Sequence, residues 1–201
     1  MKKWLSIGLL ALGLSLFGHG VYMQAKAWLA QVLIEQAWQT TLKSPNKKIK
    51  PWFYADSYPV AQIIWPKHNK RLTVLDGASG RNLAFAPSHF LPSGELGGAD
   101  FGNSQGALIA GHNDTHFAFL KNAKVGEQFS LQLKNGQVQH YSVTHVEVIH
   151  QHNTDFLHQS GLYLLTCYPF DSLASGTDLR WLVSAEISSP EVELGISTTS
   201  S

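Results

Sequence analysis

The length, composition and charge of the chain exclude several classes of protein. Its 201 residues fit one domain with accessory segments, and 44% of them are hydrophobic, which is ordinary for a folded core. Fifteen basic against 14 acidic side chains leave a net charge of +1, so no strong attraction to nucleic acid is expected. The ten histidines are scattered and no HExxH motif is present, so we predict no metal site and no cofactor.

The N-terminal segment has the length and composition of a membrane anchor. Lys2 and Lys3 precede a stretch from Trp4 to Met23 that contains no Asp, Glu, Lys or Arg. About 20 such residues cross the ~30 Å hydrocarbon core of a bilayer as a helix. We expect a single-pass anchor over residues 1–24, with the N-terminus inside and the bulk of the chain outside. A signal peptide cleaved near Ala25-Lys26-Ala27 is the alternative, but the apolar stretch is longer than a signal core.

The next segment, residues 25–50, is predicted to be a helical stalk followed by a linker. Good helix formers run from Ala25 to Leu42, and apolar side chains recur there at helical spacing. These are Leu29, Val32, Leu33 and Ala37. The sequence Ser44-Pro45-Asn46 then breaks the helix.

From residue 51 to residue 190 the pattern indicates an all-β domain. Short runs rich in β-branched and aromatic residues alternate with clusters of Gly, Pro, Asn and Asp, and Asn135-Gly136 is a strong hairpin signal. Seven or more such strands predict a mainly antiparallel sandwich or closed barrel. The remaining residues, 191–201, are predicted to form a flexible tail. The candidate strands are Val60–Trp65, Arg71–Leu75, Ala107–Gly111, Gln128–Leu133, Gln137–Ile149, Leu162–Cys167 and Leu179–Ile187.

The single cysteine, Cys167, is either an inert buried side chain or a reactive nucleophile. A thiol nucleophile needs an acid/base partner and a cation or N–H donors for the developing oxyanion. His112 follows one predicted strand and Arg180 opens the last one, so both lie at strand ends, as Cys167 does. His89 and His116 are further candidates for lining a groove. Side chains at strand ends lie over a rigid scaffold, which favours a site.

Four motifs in order resemble the sortase family, over roughly Pro59 to Ile187. They are Ala110-Gly111-His112, then Phe117-x2-Leu120 with Val125-Gly126, then Leu164-Leu165-Thr166-Cys167-Tyr168-Pro169-Phe170, and then Arg180-Trp181-Leu182-Val183. A glycine-rich approach from Gly97 to Ser104 adds to them. The amino-acid sequence around Cys167 and His112 is most similar to that of the sortases of Gram-negative bacteria. Two positions depart from the family pattern, Tyr163 where a Thr is common and Asn113 where an Arg is common.

The resemblance implies a fold, a reaction and a role for each site residue. The fold would be a closed eight-stranded β-barrel with short helices, preceded by an N-terminal transmembrane helix. Cys167 would attack an LPxTG-like sorting signal of an exported protein and form a thioester, with His112 as acid/base. Arg180 would bind the substrate backbone and stabilise the oxyanion, and Thr166 would add substrate and oxyanion contacts.

The resemblance also implies partners and a location. The acyl group would pass to an amine acceptor of the cell envelope or to water. The catalytic domain would lie on the extracytoplasmic, periplasmic side of the cytoplasmic (inner) membrane. We expect Asp114 or Thr115 to cap the short turn that follows His112.

Two other functions remain open from the residues alone. A cysteine L,D-transpeptidase acting on peptidoglycan also has His, Cys and Arg in this order. Its arginine follows the cysteine by two positions in a Ser-His-Gly-Cys context, whereas Arg180 lies much further from Cys167. A non-catalytic anchored β-domain that binds exported proteins would keep the fold and lose the chemistry.

Overall fold

The computed structural model describes residues 2–97, 105–171 and 176–188. The predicted tail at 191–201 and most of the glycine-rich approach before His112 lie outside these residues. The chain forms one long helix followed by a closed barrel of eight strands.

The helix α1 runs without interruption from Lys2 to Lys43. It ends where Pro45 follows, because the ring of a proline disfavours helical geometry at the preceding residue. The helix predicted from Ala25 to Leu42 is thus the second part of α1. Within the described ranges, no helix combines the length and the apolar character that a membrane crossing requires.

The second part of α1 packs on the barrel. Ile34 and Trp38 are 2% and 0% exposed. The Glu35 Oε2 atom accepts hydrogen bonds from Gln62 Nε2 at 3.0 Å and from Thr73 Oγ1 at 3.2 Å. The segment expected to be a stalk is therefore joined to the first two strands by an apolar stripe and a polar cluster.

The barrel strands close in the order β1-β2-β3-β4-β7-β8-β6-β5. All pairings are antiparallel except β2 with β3 and β4 with β7. The prediction of a mainly antiparallel, closed eight-stranded barrel is confirmed, and each of the seven predicted strands is present. The strands are β1 Pro59–Trp65, β2 Lys70–Asp76, β3 Ser88–His89, β4 Ala107–Ala110, β5 Gln128–Leu133, β6 Val138–His150, β7 Leu162–Tyr168 and β8 Leu179–Ile187.

Short helices fill the connections. A four-residue helix, α2, spans Gly80–Leu83, and three 3₁₀ turns span Pro66–His68, Ala118–Asn122 and Asp155–His158. The side-chain cap expected from Asp114 or Thr115 is wrong. Phe117 precedes the turn at Ala118–Asn122, and no side chain caps it. The Phe117 N–H instead donates to the His112 carbonyl at 2.9 Å.

Asn135-Gly136 forms the predicted hairpin turn between β5 and β6. The Gly136 backbone has φ 84°, a left-handed conformation that glycine adopts at little cost. Two backbone bonds close the turn, from Gly136 N to Leu133 O and from Leu133 N to Gln137 O, both at 2.8 Å. The register between β5 and β6 follows from this turn.

The barrel interior is a single apolar cluster with stacked aromatic rings. The Trp65 and Phe129 ring centroids are 4.5 Å apart, and those of Phe129 and Tyr141 are 5.6 Å apart. A second, smaller cluster lies elsewhere, made of Leu108, Ile149, Tyr163 and Leu182 with Phe156 and Leu157. It packs the turn at Asp155–His158 onto the outside of the sheet.

Candidate active site

Cys167 lies on the outer face of the barrel, one residue before the C-terminal end of β7. Alternate residues of a strand point to opposite faces. Leu162 and Leu164 belong to the interior cluster, and Tyr163 belongs to the outer one. By this alternation Cys167 shares the outer face with Tyr163, and its thiol is free and exposed.

His112 is held level with Cys167 by bonds on both sides of it. The parallel register of β4 and β7 ends with Ala110 beside Leu165. One residue on, the Gly111 N–H donates to the Leu165 carbonyl at 3.1 Å. Beyond His112, the Asn113 Nδ2 atom donates to the Pro169 carbonyl, also at 3.1 Å. The neighbours of His112 are thus bonded to residues that flank Cys167.

Gly111 is required by the close approach of an aromatic ring. A Cβ atom at this position would lie 2.7 Å from the Cδ2 atom of Phe117, whose ring is fully buried in the interior cluster. Any other residue would push the turn that carries His112 away from the barrel. The Ala-Gly-His motif therefore has a packing reason as well as a chemical one.

Thr166 faces the barrel interior, opposite to Cys167. It is 2% exposed, and its Oγ1 atom donates to the Gly111 carbonyl at 2.7 Å. This bond ties β7 to the turn before His112. The hydroxyl is thus committed within the protein, and the expected contact of Thr166 with substrate stays a prediction.

Arg180 lies directly across from Cys167 on the neighbouring strand. The antiparallel register pairs Cys167 of β7 with Arg180 of β8, which places both side chains on the same face. Directly opposed residues have Cβ atoms about 4.5–5.5 Å apart. The backbone positions of Cys167, His112 and Arg180 therefore lie at the same end of the barrel.

The Arg180 guanidinium is held by neutral acceptors. Its Nη1 atom donates to the carbonyls of Thr177 at 2.5 Å and Leu179 at 2.8 Å, and its Nη2 atom donates to Gln151 Oε1 at 2.8 Å. Gln151 in turn donates from Nε2 to Asp178 Oδ1 at 2.7 Å. The three acceptors are all uncharged, so none of them neutralises the positive charge of Arg180.

Gln151 was missed by the sequence reasoning. It lies in the connection between β6 and β7, where no strand or helix pattern indicates a role. Its contact with Arg180 depends on the register of β6 with β8, which pairs Ile149 with Arg180. No signal in the sequence alone would have found it.

The two further histidines differ in their relation to the site. Burial lowers the pKa of His116, and the nearby His112 lowers it further. His116 therefore favours its neutral form more strongly than a solvent-exposed histidine does. His89 is buried on β3, with its Nε2 atom 2.9 Å from the Gly94 carbonyl.

Aromatic side chains pack behind the site residues. The Trp181 ring stacks on Tyr168 with centroids 5.7 Å apart, and its Nε1 atom donates to the Leu120 carbonyl at 3.0 Å. Phe170 packs edge-on against Trp181. The residues that follow Cys167 and Arg180 are thus fixed by packing.

In the part of the chain that the structure describes, no three His, Cys, Asp or Glu side chains are placed to hold a metal ion.

The arrangement has the parts that acyl transfer requires. Cys167 is exposed on a rigid strand, Arg180 is its direct cross-strand partner, and the residues on either side of His112 are bonded next to Cys167. An adjacent imidazole can take the thiol proton, and a cation favours the thiolate and stabilises an oxyanion.

Comparison with known proteins bears on the family and on the fold. The sortase domain model matches residues 63–188. No curated protein sequence matches the chain. Sortase C1 of GBS pilus island 1 superposes with a TM-score of 0.58 at 22% identity, over 86% of this chain and 87% of that one.

Two further solved structures have the same fold. Sortase A from Corynebacterium diphtheriae superposes with a TM-score of 0.57 at 19% identity, over 82% of this chain and 86% of that one. Sortase C-1 from Streptococcus pneumoniae superposes with a TM-score of 0.56 at 25% identity, over 65% of this chain and 67% of that one. Because the sortase domain model matches more than half of this chain, the chain belongs to the sortase family of cysteine transpeptidases.

Proposed function

We propose that this sortase is anchored in a membrane and cleaves an LPxTG-like C-terminal sorting signal of an exported protein. The observation that carries the proposal is the register that pairs Cys167 with Arg180 while both neighbours of His112 are bonded beside Cys167. The exposed thiol also supports a reactive cysteine over an inert one. The sorting motif itself is inferred from the resemblance of the four sequence motifs.

The first half of the reaction would form a thioester. The Cys167 thiolate attacks the scissile peptide carbonyl, and the negative charge moves to the carbonyl oxygen, where Arg180 stabilises it. The tetrahedral intermediate collapses as the His112 imidazolium gives its proton to the leaving amine. The N-terminal part of the substrate then remains bound to sulfur.

The second half would transfer the acyl group. The neutral His112 takes a proton from the incoming amine, whose nitrogen attacks the thioester carbonyl. Arg180 again stabilises the oxyanion, and the thiolate leaves as the new amide bond forms. His112 is left protonated and Cys167 ionised, so the enzyme returns to its starting state. Water in place of the amine would give hydrolysis.

Three residues would position this machinery through their contacts within the protein. Thr166 fixes the turn before His112 through the Gly111 carbonyl, and Gln151 holds the Arg180 guanidinium. Asn113 joins the segment after His112 to the segment after Cys167. At Asn113, where the family often has Arg, this chain uses an amide as a link between two loops.

A fluorogenic LPxTG peptide tests the reaction. Cys167→Ala should abolish both cleavage and the accumulation of a thioester adduct detected by mass spectrometry. The matched control is Ser184→Ala, on the same face of β8, which should keep activity. Unchanged cleavage by Cys167→Ala would overturn the proposal, and cleavage of an unrelated peptide alone would overturn only the choice of motif.

The anchor is proposed on the sequence from Trp4 to Met23, which contains no Asp, Glu, Lys or Arg. The full chain expressed in a bacterium should stay with the membrane after carbonate extraction, with its N-terminal residues intact by mass. A membrane-impermeant maleimide should label Cys167 in intact spheroplasts if the barrel is extracytoplasmic. A mature chain that starts near Ala27 would instead establish a cleaved signal peptide.

A further inference from the structure

A cavity of about 310 Å³ separates α1 from the segment that enters β1. Its walls are mainly apolar, with Leu29 and Leu33 on one side and Trp52 and Tyr54 on the other. Phe85 closes the far end, next to α2. None of Cys167, His112 and Arg180 lines this cavity, so the chemistry described above does not use it.

Large apolar side chains project from the rim of this cavity into solvent. Phe53 is 91% exposed, Tyr54 is 65% exposed and Leu29 is 49% exposed. We call these three side chains the aromatic edge. Trp28, 68% exposed, lies on the same turn of α1 as Leu29. Contiguous exposed apolar side chains of this size mark an interaction surface.

The aromatic edge is held in place by its own packing. The Phe53 and Tyr54 rings meet edge to face with centroids 4.8 Å apart, and Trp52 packs on both Tyr54 and Phe85. The Ala55 N–H donates to the Trp52 carbonyl at 3.0 Å, which closes a turn beneath the rings. The rings are therefore displayed on an ordered base.

The position of the edge along α1 indicates its partner. The apolar stretch of α1 ends at Met23. Trp28 and Leu29 follow within about 9 Å at a rise of 1.5 Å per residue. The headgroup layer beyond the ~30 Å hydrocarbon core is about 5–8 Å deep on each side. Lys26, about 4.5 Å beyond Met23 at one end of the cavity, therefore lies within the headgroup layer, and Leu29 lies just beyond it. Aromatic side chains are enriched at this level in membrane proteins.

The charges at the cavity mouth agree with this partner. Lys26, Arg81 and Asp56 all line the cavity, and because Arg81 is paired with Asp56 the net charge there is the single positive charge of Lys26. Basic side chains at the headgroup level are attracted to anionic phospholipids. The edge lies close to the end of the apolar stretch of α1. A lipid partner accounts for this position, whereas a protein partner could bind an edge placed anywhere along the helix.

We propose that the barrel is seated on the phospholipid surface through the aromatic edge, with Phe53 and Tyr54 inserted among the headgroups. This inference rests on the proposed anchor and goes beyond it, because the continuous helix α1 sets how far the barrel stands from the apolar stretch but does not decide whether side chains of the barrel domain enter the bilayer. Seating fixes the orientation of the barrel, and hence of the Cys167 site, relative to the membrane. The bilayer becomes a second point of contact besides α1.

Site-specific fluorescence tests the seating in the full chain. Because Cys167 is the only cysteine, a Cys167→Ala background allows one thiol to be placed at will. Phe53→Cys reports the edge and Leu12→Cys reports the anchor. Val125→Cys is the matched control. Val125 is exposed, and the nearby Glu127 binds Lys67 and His68, which follow the end of β1 opposite to the aromatic edge. Each variant is labelled with an environment-sensitive dye and reconstituted in vesicles of phosphatidylethanolamine and phosphatidylglycerol.

The measurement is dye emission and its quenching by lipids that carry a nitroxide at headgroup depth. We expect a blue shift at positions 12 and 53, quenching by the headgroup nitroxide at position 53, and neither effect at position 125. A dye at 53 that stays in water while the dye at 12 is in lipid would overturn the seating and leave the anchor intact. Dyes in water at both positions would overturn the anchor and the seating together.

A second variant tests whether the rings themselves hold the barrel down. Tyr54→Asp added to the Phe53→Cys variant places a negative charge on the edge, next to anionic lipid. The dye at 53 should then return to water while the dye at 12 is unchanged. Both side chains are exposed, so the thermal unfolding midpoint should not move. An unaltered blue shift in this variant would count against the aromatic edge as the point of contact.

Discussion

The barrel interior and the outer end of β7 are built by opposite means. The interior is filled by apolar rings such as Trp65 and Phe129, which exclude water and make no use of charge. The outer end displays Cys167 and Arg180, whose positions are set by strand register and by bonds to backbone carbonyls. The interior thus supplies stability, and the site uses the rigidity that the interior creates. Substitutions in the two regions should therefore separate stability from activity.

The largest effect on stability is expected inside the barrel. Trp65→Ala removes a fully buried ring that stacks on Phe129. It should lower the free energy of unfolding by about 3–5 kcal/mol, as large-to-small core substitutions do. Chemical denaturation measures this, and cleavage per folded molecule should change little. Val148→Ala, at an exposed position of β6, is the control and should stay within about 0.5 kcal/mol.

The reverse pattern is expected for Arg180→Ala. Loss of a preorganised oxyanion donor should lower kcat by about 10²–10³-fold. The free energy of unfolding should move little, because Arg180 is half-buried at the rim and its partners can turn to water. Arg180→Lys keeps the charge but loses the planar fork, so intermediate activity is expected. If Arg180→Ala unfolds as readily as Trp65→Ala, the separation of the two regions fails.

Thr166 lies on the border between the regions, so its substitution should affect both properties. Thr166→Val leaves the buried Gly111 carbonyl without its donor, which should cost about 1–3 kcal/mol of stability. It should also lower kcat, because the turn that carries His112 loses a tether. Thr166→Ser keeps the hydroxyl and should restore most of the activity. A Val variant that loses activity at unchanged stability would instead indicate direct contact with substrate.

The smallest effect is expected far from the site, at Glu127. Burial would raise the pKa of its carboxyl, but hydrogen bonds from Lys67 and His68 outweigh burial and hold the pKa below its usual 4.5. The folded state thus binds a proton less readily than the unfolded chain. Its contribution to stability is present above about pH 4.5 and is lost as the pH falls through the lowered folded value.

Melting curves of the native chain and of Glu127→Gln measure this contribution. The difference between their midpoints should shrink on acidification through that window. A difference that is constant from pH 7 to strongly acidic solution would mean that the ion pairs add nothing.

The strands were predictable because alternation and turn residues are local signals. Gln128–Leu133 and Leu179–Ile187 have the predicted bounds, whereas Ser88–His89 is too short to show any period. The inward orientation of Thr166 could also have been predicted, because alternate residues of a strand share a face. Thr166 therefore lies on the face of Leu164 and not on the face of its neighbour Cys167. The pairing of Cys167 with Arg180 was not available, because register across a long connection depends on tertiary packing.

The packing of α1 shows the same limit. The sequence predicted an apolar face with Leu29, Val32, Leu33 and Ala37. Ala37 is indeed buried, but the face in contact with the barrel is centred on Ile34 and Trp38, and Leu29 is half exposed. Both faces have helical spacing, and only the barrel surface decides between them. The aromatic edge likewise follows from the meeting of α1 with a distant segment.

The continuity of α1 has a consequence for anyone who shortens the chain. The boundary between the apolar segment and the folded domain falls inside a helix, not in the linker after Lys43. A protein that starts at residue 51 would lose Ile34 and Trp38 and would leave Gln62 without the Glu35 carboxylate. One that starts at Gln24 would keep these contacts, so the cut that preserves the enzyme lies midway along a continuous helix.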